Sequence, residues 1–530
     1  MQNQESYIRK FEAGTISRRQ FVERMIGLGL SVPFVTSILA TSISRVSAAT
    51  PVKGGRLRIG FTEGSQKEHW DPALRYSRMM NGRNNSVYNS LVTITPNLEA
   101  APNLAESWEA NDAADDWVFK LRKGVEFHDG KSLRAQDVVF SFRRVMDPDL
   151  GSGGKAFVSG IDTVVAEDGH TVRFKLKQPN VDFPMFLGTD FLSIIAEGAT
   201  DFSTANGTGP FKVSFFEAAR SALVVRNPNY WESGLPHLDE VETFSISDDV
   251  ARLSALISGD IHCLQGLTPS LIDKVNETPG IQLQSTPSGY RVPAIMRTDL
   301  APYDNPDVRL ALKLLIDREV YNKIVYKGHS TIGNDHPVGP IYPEYCDEIP
   351  IREYDPDKAK SLLKKAGALD ETFEVLVSTI GIGAVEGAQV YSQMAAKAGV
   401  NIKVNRVPTD GFWDAVWMKK PFHFAHWTMR ATANLQLTIA FSKESSWNDG
   451  FWYRDDYDKL LLESRATFDK ARRKELYCEM QRMIRDDAGQ IIPAFPNLLD
   501  ATSDKVKNLV LHPQGSLGNL KVQNTCWLEA

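Results

Sequence analysis

Cysteine is scarce. There are four in 530 residues, Cys263, Cys346, Cys478 and Cys526, and no two stand in a Cys-x-x-Cys spacing. That excludes a zinc ribbon and a dithiol redox centre, and it is far from a disulfide-dense scaffold. Basic charge is not in excess either. The formal net charge is −6, so nothing in the balance favours a nucleic-acid backbone. Beyond residue 49 no uncharged apolar run approaches the roughly 20 residues that span a bilayer. No G-x-S-x-G elbow, no H-E-x-x-H and no Ser-x-x-Lys with its partner motifs stands in the chain, so no hydrolase signature is present. Internal repeats and low-complexity stretches are also missing. What remains is ordinary globular composition, 42% hydrophobic and 24% charged, at a length that suggests two to four domains.

The first 49 residues stand apart. Ser17-Arg18-Arg19-Gln20-Phe21-Val22 is a twin-arginine pattern. A mostly apolar run from Met25 to Ala40 follows, too short for a comfortable span, and Ser47-Ala48-Ala49 has the small-residue spacing of a cleavage site. Six Lys or Arg against three Glu in this leader leave −9 on the remainder. No cysteine stands at the cleavage site to take a lipid. The expectation is export of an acidic protein into a Gram-negative periplasm.

The most informative stretch is Asn103 to Pro148. Trp117, Phe119 and Leu121 alternate with Val118, Lys120 and Arg122, the period of a strand. His128-Asp129-Gly130 is a turn. Val138, Val139, Phe142 and Val145 recur at helical steps from an opening near Ser132, and Asp147-Pro148 stops them. Gly124 to Ser132 imitates a phosphate-binding loop, but five residues separate its glycines where four are required.

LAESWE, LRKGVEFHDG and AQDVVFSF with a closing DP, in that order, resemble the signature of the family 5 extracellular solute-binding proteins, the dipeptide-, oligopeptide- and nickel-binding components of ABC importers. Gly207-Thr208-Gly209-Pro210-Phe211 and Arg226-Asn227-Pro228-Asn229-Tyr230-Trp231 match further family segments, where structural anchoring is the expected role. The resemblance implies an α/β, two-lobed periplasmic binding protein fold of type II, with an extra inserted subdomain and a hinge between the lobes. Its boundaries are read as a first lobe from 50–91, 201–290 and 496–530, an inserted subdomain over 92–200, and a second lobe over 291–495. Gln282 to Ile295 and Ile491 to Phe495 are the expected crossings between lobes. Asn305 to Arg318 reads as a helix capped at Asn305, and Phe373–Ser378, a following helix and Asn401–Arg406 form a strand–helix–strand unit. Three cysteine pairings are open. Cys263 with Cys526 and Cys346 with Cys478 would each stay within one lobe, but the preferred reading is four buried thiols, because cysteine packs as a small core residue.

The resemblance also points to the ligand. In peptide-binding members a tryptophan is followed by two residues and then by an aspartate that pairs with the ligand's α-ammonium. Here Phe424 to Asn434 reads FAHWTMRATAN, so Trp427 holds the tryptophan position and Arg430 stands where the aspartate would be. A guanidinium cannot give up its proton, and facing a desolvated ammonium it would cost several kcal/mol. The ligand then lacks a free amine here or is turned round, and a carboxylate, phosphate or sugar hydroxyl faces Arg430. The competing reading pairs Arg430 with a protein carboxylate, Asp410 or Glu386. Candidate ligand contacts are Trp427, Thr428 and Arg430, with Trp413, Trp447 and Tyr290; indoles offer flat walls with a donor edge. His423 and His426 fall on opposite faces of a strand, so no metal is expected. No catalytic residue and no cofactor are expected. The implied function is capture of a peptide or peptide-like solute with an anionic group, delivered by a monomer to ABC permease subunits in the inner membrane. A sugar-conjugate or opine-type ligand is the alternative. A hydrolase or a chaperone on the same fold is the alternative of another class.

Overall fold

A computed structural model describes residues 50–74 and 77–529. The leader expected at 1–49 lies outside them. Among the described residues no helix is long and apolar enough to cross a membrane.

Leu57, Ile59 and Phe61 alternate along the strand Arg56–Phe61 and all three are buried. This strand sits mid-sheet, parallel to Glu240–Ser245 on one side and to Cys263–Leu264 on the other. The seven-stranded sheet runs Ile281–Thr286, Leu498–Ser503, Cys263–Leu264, Arg56–Phe61, Glu240–Ser245, Ser221–Arg226, Phe211–Glu217. A second sheet of five strands runs Asn401–Arg406, Thr372–Val377, Phe422–Phe424, Ala294–Met296, Gln490–Ile491. Its first three strands are parallel, and the helix Ala384–Lys397 makes the crossover from Thr372–Val377 to Asn401–Arg406 that parallel pairing requires. Each sheet is the centre of one lobe.

The chain passes between the sheets twice. Ile281–Thr286 belongs to the first and Ala294–Met296 to the second; Gln490–Ile491 belongs to the second and Leu498–Ser503 to the first. These are the two crossings expected from the sequence. A separate four-stranded antiparallel sheet, Ala105–Ala110, Asp116–Leu121, Thr171–Leu176, Ile161–Asp168, lies under the helix Ala135–Met146. The helix buries Val138, Val139, Phe142 and Val145 against it, with Phe142 and Phe174 edge to face at 4.9 Å. Gly207 and Gly209 run so close to the helix end at Val87 that a Cβ on either would overlap its backbone, which explains the glycines of that segment.

Two expectations need correction. Asn305 to Arg318 is not one helix. Pro306–Leu314 ends, and Asp317 caps a second helix, Arg318–Val325, by accepting from Val320 N at 3.0 Å. A good N-cap inside an apolar-periodic run starts a new helix instead of continuing the old one. The four-thiol reading is half overturned: Cys346 and Cys478 form a disulfide, while Cys263 and Cys526 are free and buried.

Candidate functional site

The site is built where the first crossing meets the segment 427–431. Arg291 N donates to Trp427 O at 3.1 Å, and Trp427 N donates to Arg291 O at 2.9 Å. This pair of bonds ties the tryptophan to the crossing segment. Next to it, Gly289 has no room for a side chain, since a Cβ would meet Met429 Cγ and Tyr342 Cε2 at 3.0 Å. Tyr342 Oη donates to Arg430 O (2.9 Å) and accepts from Arg430 N (3.2 Å), which fixes the backbone of residue 430.

Below lies a buried polar layer. Asp449 is fully buried and accepts from Trp427 Nε1 (3.0 Å), Trp417 Nε1 (3.1 Å) and Gln490 Nε2 (2.8 Å). Burial raises its pKa despite these donors. Arg291 is equally buried and stacks on Trp427, with Cζ 5.1 Å from the ring. With the Gln436 amide oxygen turned toward it, Arg291 donates from both Nη1 and Nη2, at 3.0 and 3.1 Å. Burial lowers the Arg291 pKa to about 9, and the Arg430 charge adds to the lowering.

A cavity of about 290 Å³ opens between the lobes. That is near the lower end of small-molecule sites, roughly 300–1,000 Å³. Thr428 and Arg430 line one side, Arg78 and Asn81 face it from the helix Arg78–Val87, and Gln514 closes it from the C-terminal segment. That last segment is unusual. Leu517, Gly518, Asn519 and Leu520 all have positive φ, between 48° and 67°, one turn of left-handed backbone. The buried Asp500 carboxylate holds it by accepting from Leu517 N (2.7 Å) and Gly266 N (2.9 Å). Burial pushes the Asp500 pKa up to about 6.

The six residues singled out from the sequence divide. Tyr290, Thr428 and Arg430 line the cavity. Trp427 is buried beneath it, and Trp413 and Trp447 are half-exposed. Trp447 packs edge-on against Trp427 at 6.2 Å and against Trp417 at 6.1 Å, and Trp413 against Trp417 and His426 at 5.5 and 5.4 Å. These three do not line this cavity. Arg430 pairs with neither Asp410 nor Glu386, which corrects the structural-pairing reading. Among the described residues its guanidinium makes no ion pair; Nη1 donates to Thr428 Oγ1 at 3.1 Å, Trp447 lies 6.0 Å away, and Nε is buried without a partner. His423 Nδ1 meets Lys420 O at 3.2 Å and His426 stacks on Tyr290 at 5.8 Å. Among the described residues no group of three or more His, Cys, Asp or Glu is placed to hold a metal.

Sequence reasoning missed Arg78, Asn81 and Gln514. The first two sit three apart at the start of the helix that follows the first strand's loop, a place where α/β sheets present ligands. Gln514 carries no pattern that would have marked it.

Two α/β lobes joined by paired crossings, with a cavity between them, define a receptor that encloses a solute. A model of the bacterial extracellular solute-binding proteins, family 5 middle region, matches residues 99–449, and the chain belongs to that family. It is 28% identical over 501 residues to di/tripeptide-binding protein 2 of Pseudomonas aeruginosa, covering 85% of this chain and 91% of that one. It is 27% identical to the dipeptide-binding protein of Escherichia coli over 528 residues, covering 90% and 96%. Among solved structures, the Helicobacter pylori periplasmic binding protein DppA with the peptide STSA superposes with a TM-score of 0.76 at 27% identity, over 91% of this chain and 99% of that one.

Proposed function

We propose that the protein is the periplasmic receptor of an ABC importer that captures a short peptide or peptide-like solute bearing an anionic group. Its leader sends it through the twin-arginine route, closure of the lobes about the two crossings buries the solute, and the closed form is presented to inner-membrane permease subunits. It carries out no reaction. The family and the named ligands of the relatives support a peptide. The observation that carries the anion is Arg430: a guanidinium on the interlobe cavity that, among the described residues, pairs with no carboxylate. Guanidinium forks match carboxylate oxygens, and such charge-assisted bonds are roughly twice as strong as neutral ones.

The test is calorimetric titration of the mature protein with N-acetylated short peptides and their uncharged, C-terminally amidated analogues. The acids bind, raise the melting temperature and are recovered intact. Equal affinity for acids and uncharged analogues removes the anionic assignment, and turnover of a bound peptide removes the receptor assignment.

A further inference from the structure

We infer, on the reading just given that the solute is an anion, that its nitrogen is uncharged: the ligand is an N-blocked acidic peptide or similar amide-bearing acid, read by Arg430 and Arg78 at its anionic oxygens and by Asn81 and Gln514 at its N–H groups. Three side chains that line the cavity each carry a buried, unpartnered polar atom: Arg430 Nε, Asn81 Oδ1 and Gln514 Oε1. One is a charged donor on the second lobe. The other two are neutral acceptors, Asn81 on the helix Arg78–Val87 and Gln514 on the C-terminal segment. Buried polar atoms are almost always bonded, so three orphans around one cavity describe the complement of a ligand.

The charges select its form. Arg78 and Arg430 both line the cavity, and among the described residues neither makes an ion pair. Asp190 is the single carboxylate among the described lining residues, and it already has a partner. An ammonium enclosed here would meet two guanidiniums against the single carboxylate of Asp190, an excess of like charge, and a desolvated charge without a counter-charge of its own is expelled. An amide N–H asks only for a neutral acceptor, which carboxamide oxygens supply. Arginine at position 430 and neutral amides opposite it thus make one consistent set.

Calorimetry on the mature protein with three probes decides it: Ala-Asp, N-acetyl-Ala-Asp, and the uncharged N-acetyl-Ala-Asn-amide. N-acetyl-Ala-Asp is expected to bind at least tenfold tighter than either of the others. Asn81→Ala and Gln514→Ala each weaken N-acetyl-Ala-Asp about fivefold in a protein whose melting temperature is unchanged. Ala-Asp binding as tightly as its acetylated form overturns this inference and leaves the anionic receptor standing. The uncharged probe binding as tightly as N-acetyl-Ala-Asp, or no probe binding at all, overturns both.

Discussion

Replacing Arg430 with aspartate inverts a charge that lines the cavity. The backbone of residue 430 is held on both sides by Tyr342 Oη, so the shorter side chain points from a fixed origin. The lost contacts are small: one bond to Thr428 Oγ1 and the approach to Trp447. At about 4 Å and an effective dielectric of about 20, a unit charge pair is worth about 4 kcal/mol. Turning repulsion of an ammonium into attraction is a gross swing of about 8 kcal/mol on the same scale. Desolvation of the new pair consumes much of it, and a single charged hydrogen bond nets about 1.5–3 kcal/mol. A net gain of about 3 kcal/mol is roughly 100-fold in Kd. Arg430→Asp should therefore bind Ala-Asp about 100-fold tighter relative to N-acetyl-Ala-Asp than the parent does, reversing its preference. The fold should not suffer, because Arg291 loses a like charge and gains an opposite one nearby. Calorimetry with both probes on both proteins, beside a melting curve, measures it. A preference ratio unchanged in a folded variant refutes the role of the Arg430 charge in excluding an ammonium from this cavity.

Other outcomes follow from the layers around the site. Asp449→Ala orphans the donors of Trp417, Trp427 and Gln490 and should cost about 3 kcal/mol in chemical denaturation, with a shift in tryptophan emission; an unchanged spectrum would mean the indoles are held by packing alone. Removing the Cys346–Cys478 bridge, which spans a separation of 132 residues, should cost about 2–5 kcal/mol, whereas Cys263→Ala and Cys526→Ala keep the bridge and should lose as much stability to reductant as the parent, measured by denaturation with and without it. The Asp500 pKa is raised above its unfolded value, so the folded state holds that proton between about pH 4 and pH 6, and the stability this confers is lost as pH rises through that window. Asp500→Asn should therefore cost about 3 kcal/mol less at pH 7 than at pH 4, measured by denaturant titration at both; a pH-independent difference rejects the assignment. Arg473→Met breaks an ion pair to Asp182 at 2.6 Å that joins the helix Lys470–Asp487 to the segment before Phe183. It should speed ligand release several-fold in stopped-flow while leaving association unchanged, because the contact lies outside the cavity.

The fold was legible because its signals are local and repeated. Leu57, Ile59 and Phe61 announce a strand by alternation, Asn305 announces a helix by capping, and residues 103–148 carry an ordered run of strand and helix signals. The break between Pro306–Leu314 and Arg318–Val325 was not, because the apolar period carries on across Asp317 and hides the second cap. The site was legible only in part. Arg430 and Tyr290 were found, one by a charge where the opposite charge was expected and one by its place in a crossing. Arg78, Asn81 and Gln514 converge from distant parts of the chain, and the left-handed turn beside Gln514 uses Leu and Asn at positive φ, where composition gives no warning. The indoles, conspicuous in the sequence, serve largely to pack against one another and to satisfy Asp449.

The reciprocal backbone bonds between Arg291 and Trp427 couple two properties that evolution would otherwise tune separately. The segment that crosses between the lobes is the same segment that is bonded to the tryptophan beneath the cavity. A substitution that reshapes the floor to welcome a different cargo also re-aims the pivot. New selectivity in this protein should therefore arrive together with altered opening kinetics, and directed evolution toward one will drag the other with it.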